Sequence, residues 1–145
     1  LMHKSKISGY TPHIMRAARK LNDEMGEWVV ASFLDFIKKE NIKLKSTIVT
    51  LMGYTFKENC SDIRNTKVYD LAISLKNHGV NVSIWDPFLT NKTQDELSKN
   101  DIISYKKKPK KIELAFICVY HDQILEFLKC YKGIVFDYKK LNKSK

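Results

Sequence analysis

This chain has no Cys-x-x-Cys pair, no G-x-G-x-x-G fingerprint and no apolar run long enough to span a bilayer. Each absence removes a class of protein. The three cysteines, Cys60, Cys118 and Cys130, are odd in number and widely spaced. Neither a disulfide framework nor a zinc site is indicated, and no metal is expected. Reduced thiols in a cytoplasmic protein fit them best. Without the glycine fingerprint, a dinucleotide site of the usual kind has little support. No membrane partner is expected, and the opening LMHKSKISGY lacks the pattern of a secretory signal.

Acidic residues are also scarce, 16 against 26 lysines and arginines, which leaves a net charge of +10. Such a surplus suits an acidic partner: nucleic acid, a membrane surface or a phosphorylated ligand. Much of it sits in Lys106, Lys107, Lys108, Lys110 and Lys111, and in Lys139, Lys140, Lys143 and Lys145. These runs read as solvated loop and tail. They lack the interleaved aromatics of a single-strand-binding surface, and no helix-turn-helix or zinc-finger spacing occurs. The charge permits a basic nucleic-acid-binding domain, but no motif supports one. The hydrophobic content of 43% is enough to fold 145 residues around one core.

What is present is a change of periodicity along the chain. Thr11 and Pro12 form a helix start, with threonine as cap and proline at the first helical position. Ile14, Ala18, Leu21, Met25, Trp28, Val29, Ser32, Phe33, Phe36 and Ile37 then follow three- and four-residue steps. One long amphipathic helix is predicted, ending near Lys39 to Asn41. It is long for so small a domain, and its apolar stripe suits a neighbouring domain or a second subunit. Strands are predicted at Thr47 to Met52, Val80 to Trp85, Ile112 to Val119 and Ile134 to Phe136, with a weak one at Ile102 to Tyr105. Helices are predicted at Thr66 to Asn77, Thr93 to Lys99 and His121 to Cys130. The alternation argues an α/β, Rossmann-like, doubly wound and mostly parallel sheet preceded by the long helix.

In such a sheet, ligands gather outside the carboxyl ends of the strands. The richest of these places follows Met52, where Gly53 opens a polar segment holding Lys57, Glu58, Asn59, Asp62 and Arg64. Strand, glycine, basic loop and helix make an anion site. Lys57 is either a phosphate contact or an ordinary surface lysine. Asp62 and Arg64 are close enough to pair, which either fixes the loop or aims the guanidinium at a ligand. His121 is an acid or base, or a structural hydrogen-bonder. Cys60 has no neighbour in sequence that would activate it. Asp86-Pro87 reads most simply as a strand terminator.

The stretch GYTFKENCSDIRNTKVYDLAISLKNHGVNVSIWDPF resembles the start of the UDP-binding C-terminal domain of the UDP-glucose/GDP-mannose dehydrogenases. GYTPHIMRAARKLNDEMGEWV resembles the long central helix that joins the catalytic and UDP-binding domains of that family. AFICVYHDQILEF and IVFDYKKL resemble its later strand-helix-strand. The KENC before Asp62 and the NT after Arg64 look most like the branch that oxidises UDP-N-acetylhexosamines for surface polysaccharides. The resemblance implies a linking and dimerising helix over residues 1–43 and a UDP-sugar-binding domain over 44–145.

By the same resemblance, Phe56 and Lys57 match a pair that contacts the UDP-sugar. Lys139 falls where some members carry an arginine to that ligand. Arg64 matches an arginine associated with NAD at the domain interface. The implied reaction is an NAD-dependent, two-step oxidation of the sugar's C6 alcohol to a carboxylate through a thiol-linked intermediate. None of the three cysteines matches the family's nucleophile, so no catalytic residue is assigned here. NAD is expected to be bound mainly by a domain this sequence does not contain. The chain is accordingly expected to be part of a longer enzyme or the product of a truncated gene, and to oxidise nothing alone. A homodimer through the first helix is implied. The competing expectation is a non-catalytic binding or dimerisation module.

Overall fold

The computed structural model describes residues 13–139. The helix start at Thr11 and Pro12 and the lysines from Lys140 onward lie outside the described residues. The long helix α1 runs His13–Lys39. A turn of 3-10 helix at Leu44–Ser46 leads into β1, Ile48–Met52. Then follow α2 (Val68–Asn77), β2 (Asn81–Trp85), α3 (Asn91–Ser98), β3 (Ile103–Tyr105), β4 (Leu114–Ile117), α4 (Asp122–Cys130) and β5 (Ile134–Phe136). The five strands form one sheet in the order β3-β2-β1-β4-β5, and every pairing is parallel. The chain thus winds outward from β1 in one direction, then returns to lay β4 on the other side of β1. The doubly wound α/β reading holds.

The central strands are buried on both faces, as their unbroken apolar runs require. On one face Val49, Leu51, Val82, Ile84, Leu114 and Phe116 join Phe33 and Ile37 of α1 and Ala72 and Leu75 of α2 in the main core. Phe33 lies 5.0 Å from the Phe116 ring and 5.2 Å from Phe136. On the other face Met52, Trp85 and Ala115 meet Ile124 of α4. Only the second half of α1 belongs to this core. Leu21, Met25 and Trp28 are 67%, 50% and 57% exposed, while Phe33 is fully buried. Among the described residues, no helix is long and apolar enough to cross a membrane.

Element ends differ from the sequence reading for local reasons. α2 begins at Val68 rather than Thr66, because the Thr66 hydroxyl is tied to the Tyr54 carbonyl and accepts from the Val68 amide at 3.2 Å, which keeps Thr66 outside the helix. β4 is shorter than the apolar run Ile112 to Val119. The amides of Cys118 and Val119 both turn to the Met52 carbonyl, at 2.9 and 3.1 Å, so the strand bends away at its carboxyl end. α1, α2 and α3 all end with a left-handed residue, Asn41, Gly79 and Asp101. In each case the next amide reaches back five residues, as Ile42 does to Ile37, Val80 to Leu75 and Ile102 to Leu97.

Candidate functional site

The winding direction reverses between β1 and β4, and the two strands deliver their following segments to one place. Gly53 leaves β1 with φ +89 and passes directly over Val119. The loop it opens is closed by its own backbone: the Phe56 amide donates to the Asp62 carbonyl at 2.7 Å. The Thr66 hydroxyl donates to the Tyr54 carbonyl at 2.5 Å, which ties the start of α2 to the loop's first residues.

Asp62 turns the chain and holds Arg64. Its carboxylate accepts from the Arg64 amide at 2.9 Å and from the guanidinium at 2.8 and 3.0 Å. These hydrogen bonds, from side chain first and backbone second, lower the Asp62 carboxyl to about 2. The two residues do pair, and the guanidinium stays 84% exposed.

Beside the loop lies a pocket of about 290 Å³. Phe56, Lys57, Asn65, Lys67, Tyr138 and Lys139 are among its walls. Three of the four predicted site residues, Phe56, Lys57 and Lys139, therefore meet in one cavity, although 82 positions separate Lys57 from Lys139 in sequence. Arg64 does not line it. Phe56 is 56% exposed, an apolar ring offered to solvent at the rim. The Lys139 ammonium donates to the Cys118 carbonyl at 3.2 Å and lies 5.3 Å from the Tyr120 ring centre and 5.7 Å from that of Tyr138. Lysines gathered around a small pocket at a strand end suit a phosphate-bearing ligand.

The cysteine chemistry is quiet. Burial pushes the Cys118 thiol up to about 12, with the Lys139 charge offsetting only part of it, so it stays protonated at neutral pH. Among the described residues, no group of three or more metal-ligating side chains is assembled.

A larger groove, of about 630 Å³, lies under the Lys106 to Lys111 loop, toward the amino ends of β1 and β4. Lys111 pairs there with Glu113 at 2.7 Å, and Lys108 sits 5.6 Å from the Phe127 ring centre. The groove crosses the sheet face from Ile48 at the start of β1 to Tyr105 at the end of β3, and none of the residues of the loop after β1 lines it.

Sequence reasoning flagged Asp86 as a strand terminator and His121 as an acid or base or a structural hydrogen-bonder, but not that the two meet behind the pocket loop. Asp86 is fully buried, and so is His121. The Asp86 carboxylate accepts from the amides of Tyr54 at 2.5 Å, Thr55 at 3.0 Å and Phe88 at 2.7 Å, and from His121 Nε2 at 2.9 Å. Burial alone would push this carboxyl up. The hydrogen bonds from His121, Tyr54, Phe88 and Thr55 outweigh burial and leave it lowered. Asp86 ends β2, as expected, but it also anchors the loop that follows β1.

The fold and the pocket define a class: a Rossmann-like α/β domain with a lysine-lined pocket at the topological switch point. A model of the UDP-glucose/GDP-mannose dehydrogenase family, UDP binding domain, matches residues 50–144. The chain belongs to that family and carries its C-terminal UDP-binding domain. It is 43% identical over 90 residues to UDP-N-acetyl-D-glucosamine 6-dehydrogenase of Pseudomonas aeruginosa, covering 62% of this chain and 21% of that protein. It is 32% identical over 145 residues to protein CapL of Staphylococcus aureus, covering 96% of this chain and 34% of that protein. A UDP-glucose dehydrogenase from Pyrobaculum islandicum shares the fold at a TM-score of 0.72 and 21% identity, over 94% of this chain and 31% of that one. The chain spans about a fifth to a third of the length of the curated relatives it matches.

Proposed function

We propose that residues 44–145 bind the UDP end of a nucleotide sugar, and that the chain serves as the UDP-sugar-binding part of an NAD-dependent UDP-sugar 6-dehydrogenase of the N-acetylhexosamine branch. One observation carries the reading: the pocket at the switch point gathers Phe56, Lys57 and Lys139. Lys57 and Lys139 supply charge for the diphosphate, and Phe56 supplies a face for an apolar or aromatic part of the ligand. Binding energy from the remote nucleotide then positions the sugar for chemistry on residues outside this chain.

NAD supplies the hydride acceptor in the proposed enzyme. The described residues do not form a dinucleotide site of their own. The loop after β1 has a single glycine and folds in on Asp62 and Asp86 instead of opening an amide cradle. Arg64, exposed beside the pocket loop, is the one contact toward NAD proposed for this chain.

Calorimetric titration with UDP tests the reading. Lys57→Ala removes a charge-assisted contact worth about 1.5–3 kcal/mol, so the expected Kd rises roughly ten- to a hundredfold. An unchanged Kd in a folded Lys57→Ala protein would remove Lys57 from the site.

The exposed half of α1 supports a homodimer, with residues 1–43 as the linking and dimerising helix. Leu21, Met25 and Trp28 would leave an apolar stripe in water, which soluble monomers seldom do. A two-fold contact with the same helix of a second chain covers it. Each such side chain contributes on the order of 1.5–3 kcal/mol when buried. Leu21→Glu with Met25→Glu is therefore expected to shift a dimer mass to a monomer mass in light scattering. A wild-type monomer at high concentration, with the helix folded by circular dichroism, would refute the dimer.

A further inference from the structure

We infer that His121 is a positioning residue for the nucleotide: it holds the Tyr54 to Asn59 loop in the one shape that presents Phe56 and Lys57 to the ligand. The inference rests on the reading of Phe56 and Lys57 as UDP contacts.

The hydrogen-bond directions around the ring are fully assigned by its partners. The Asn59 amide can only donate, and it lies 2.9 Å from His121 Nδ1. Nδ1 therefore carries no proton, and the proton of the neutral ring is on Nε2. Nε2 faces the Asp86 carboxylate at 2.9 Å and the Thr55 hydroxyl at 3.1 Å. The Thr55 hydroxyl spends its own proton on the carbonyl of Lys57 at 3.1 Å, so toward His121 it is an acceptor. The single Nε2 proton is thus shared between the Asp86 carboxylate and the Thr55 hydroxyl, and that hydroxyl in turn donates to the backbone of Lys57.

Asn59 closes the clasp from the other side. Its side-chain oxygen accepts from the Asp122 amide at 3.0 Å, the first amide of α4. Its backbone is left-handed, φ 51, a conformation that asparagine tolerates better than most residues. Loop and helix grip each other with two bonds, the Asn59 amide onto the His121 ring and the Asp122 amide onto the Asn59 side chain. The Tyr54 and Thr55 amides are fixed on Asp86 at the loop's start. Phe56 and Lys57 lie between the two fixed ends. A loop already ordered in its bound shape binds without the cost of ordering, and that advantage vanishes if the clasp is cut.

A histidine that only stabilises the fold would change the unfolding midpoint and leave the affinity of folded protein alone. UDP titrations of wild type, His121→Phe, His121→Asn and Asn59→Gly separate the two roles. His121→Phe keeps a ring against Phe88, whose centre is 5.0 Å away, and loses both nitrogen contacts. Its UDP Kd is expected to rise on the order of tenfold. His121→Asn places an acceptor near the former Nδ1 and is expected to recover most of that loss. Combining His121→Phe with Lys57→Ala should cost less than the two separate losses together, because both act through one side chain.

Asn59→Gly covers the case in which His121→Phe does not fold. Glycine accepts the left-handed backbone and keeps the amide, and only the Asp122 contact goes. A several-fold weaker Kd is expected. Wild-type affinity in folded His121→Phe overturns the positioning role of His121, and wild-type affinity in Asn59→Gly overturns the clasp through which it acts, while UDP binding itself stands. Absence of UDP binding by the wild-type protein overturns the site reading, and the positioning role with it.

Discussion

Gly53→Ala is expected to cost roughly 2–6 kcal/mol of stability, a large share of the about 5–15 kcal/mol that holds a domain folded. Two separate penalties coincide at this residue. Its φ of +89 is a conformation that an alanine adopts only under strain, at about 1–3 kcal/mol. A Cβ built there would also lie 2.5 Å from Val119 Cβ, 2.7 Å from its carbonyl oxygen and 2.8 Å from its nitrogen. Two of these three atoms are backbone, tied through the Val119 amide to Met52. They cannot swing aside, so either β1 or β4 must move, at about 1–3 kcal/mol more. Gly79 provides the control. It also has a positive φ, +78, but a Cβ there meets nothing within 4 Å. Gly79→Ala should therefore carry only the conformational cost, about 1–2 kcal/mol. Urea unfolding of the two variants in parallel gives the difference directly. Equal midpoints would mean that the close approach of Gly53 to Val119 does not constrain the fold.

That glycine also shows how much could be read in advance. Apolar runs and their alternation with helical patterns were enough to predict all five strands, because burial on both faces leaves a mark in every residue of a central strand. Gly53 stood out because it follows such a run. The helix ends near Asn41 and Asn77 were legible from the loss of the helical pattern, whereas the left-handed residues that make the stops at Asn41 and Asp101 were not. Polar residues adopt the left-handed conformation less often, and only the surrounding backbone shows that they do.

The candidate site divides in the same way. Lys57 was legible as a cation after a strand end. Nothing in the residues themselves places Lys139 beside it; that followed from family resemblance alone, and the pocket now joins them. The Asp86 and His121 node was least legible of all. Its members come from three strand ends brought together by the order β2-β1-β4, and 35 residues separate the aspartate from its histidine. No local pattern carries a contact of that kind. A buried aspartate looks identical in sequence to one that merely ends a strand.

Asp86→Ala is expected to destabilise the protein by about 3–5 kcal/mol, since it strips the acceptor from three amides at about 1–3 kcal/mol for each one left buried and unsatisfied. The loss does not come mainly from the contact with His121. It comes from the amides of Tyr54, Thr55 and Phe88, which keep their burial and lose their acceptor. Asp86→Asn should recover part of this. One amide oxygen can still take Tyr54 and Thr55, but the new NH2 group then faces the Phe88 amide, donor against donor. The order wild type, Asn, Ala in unfolding midpoint is therefore expected, and an alanine variant as stable as the asparagine one would show that the carboxylate's acceptors are not what matters. The acid dependence follows with its sign. The Asp86 carboxyl is lowered in the folded protein, so folding favours its ionised form. That contribution is fully present above the ordinary carboxylate range and fades as pH falls through the lowered folded-state value. The stability gap between wild type and Asp86→Ala should accordingly narrow in acid, from its full width near neutrality. A gap that widens on acidification would mean that Asp86 is held protonated, and the direction of every hydrogen bond at the node would have to be reversed.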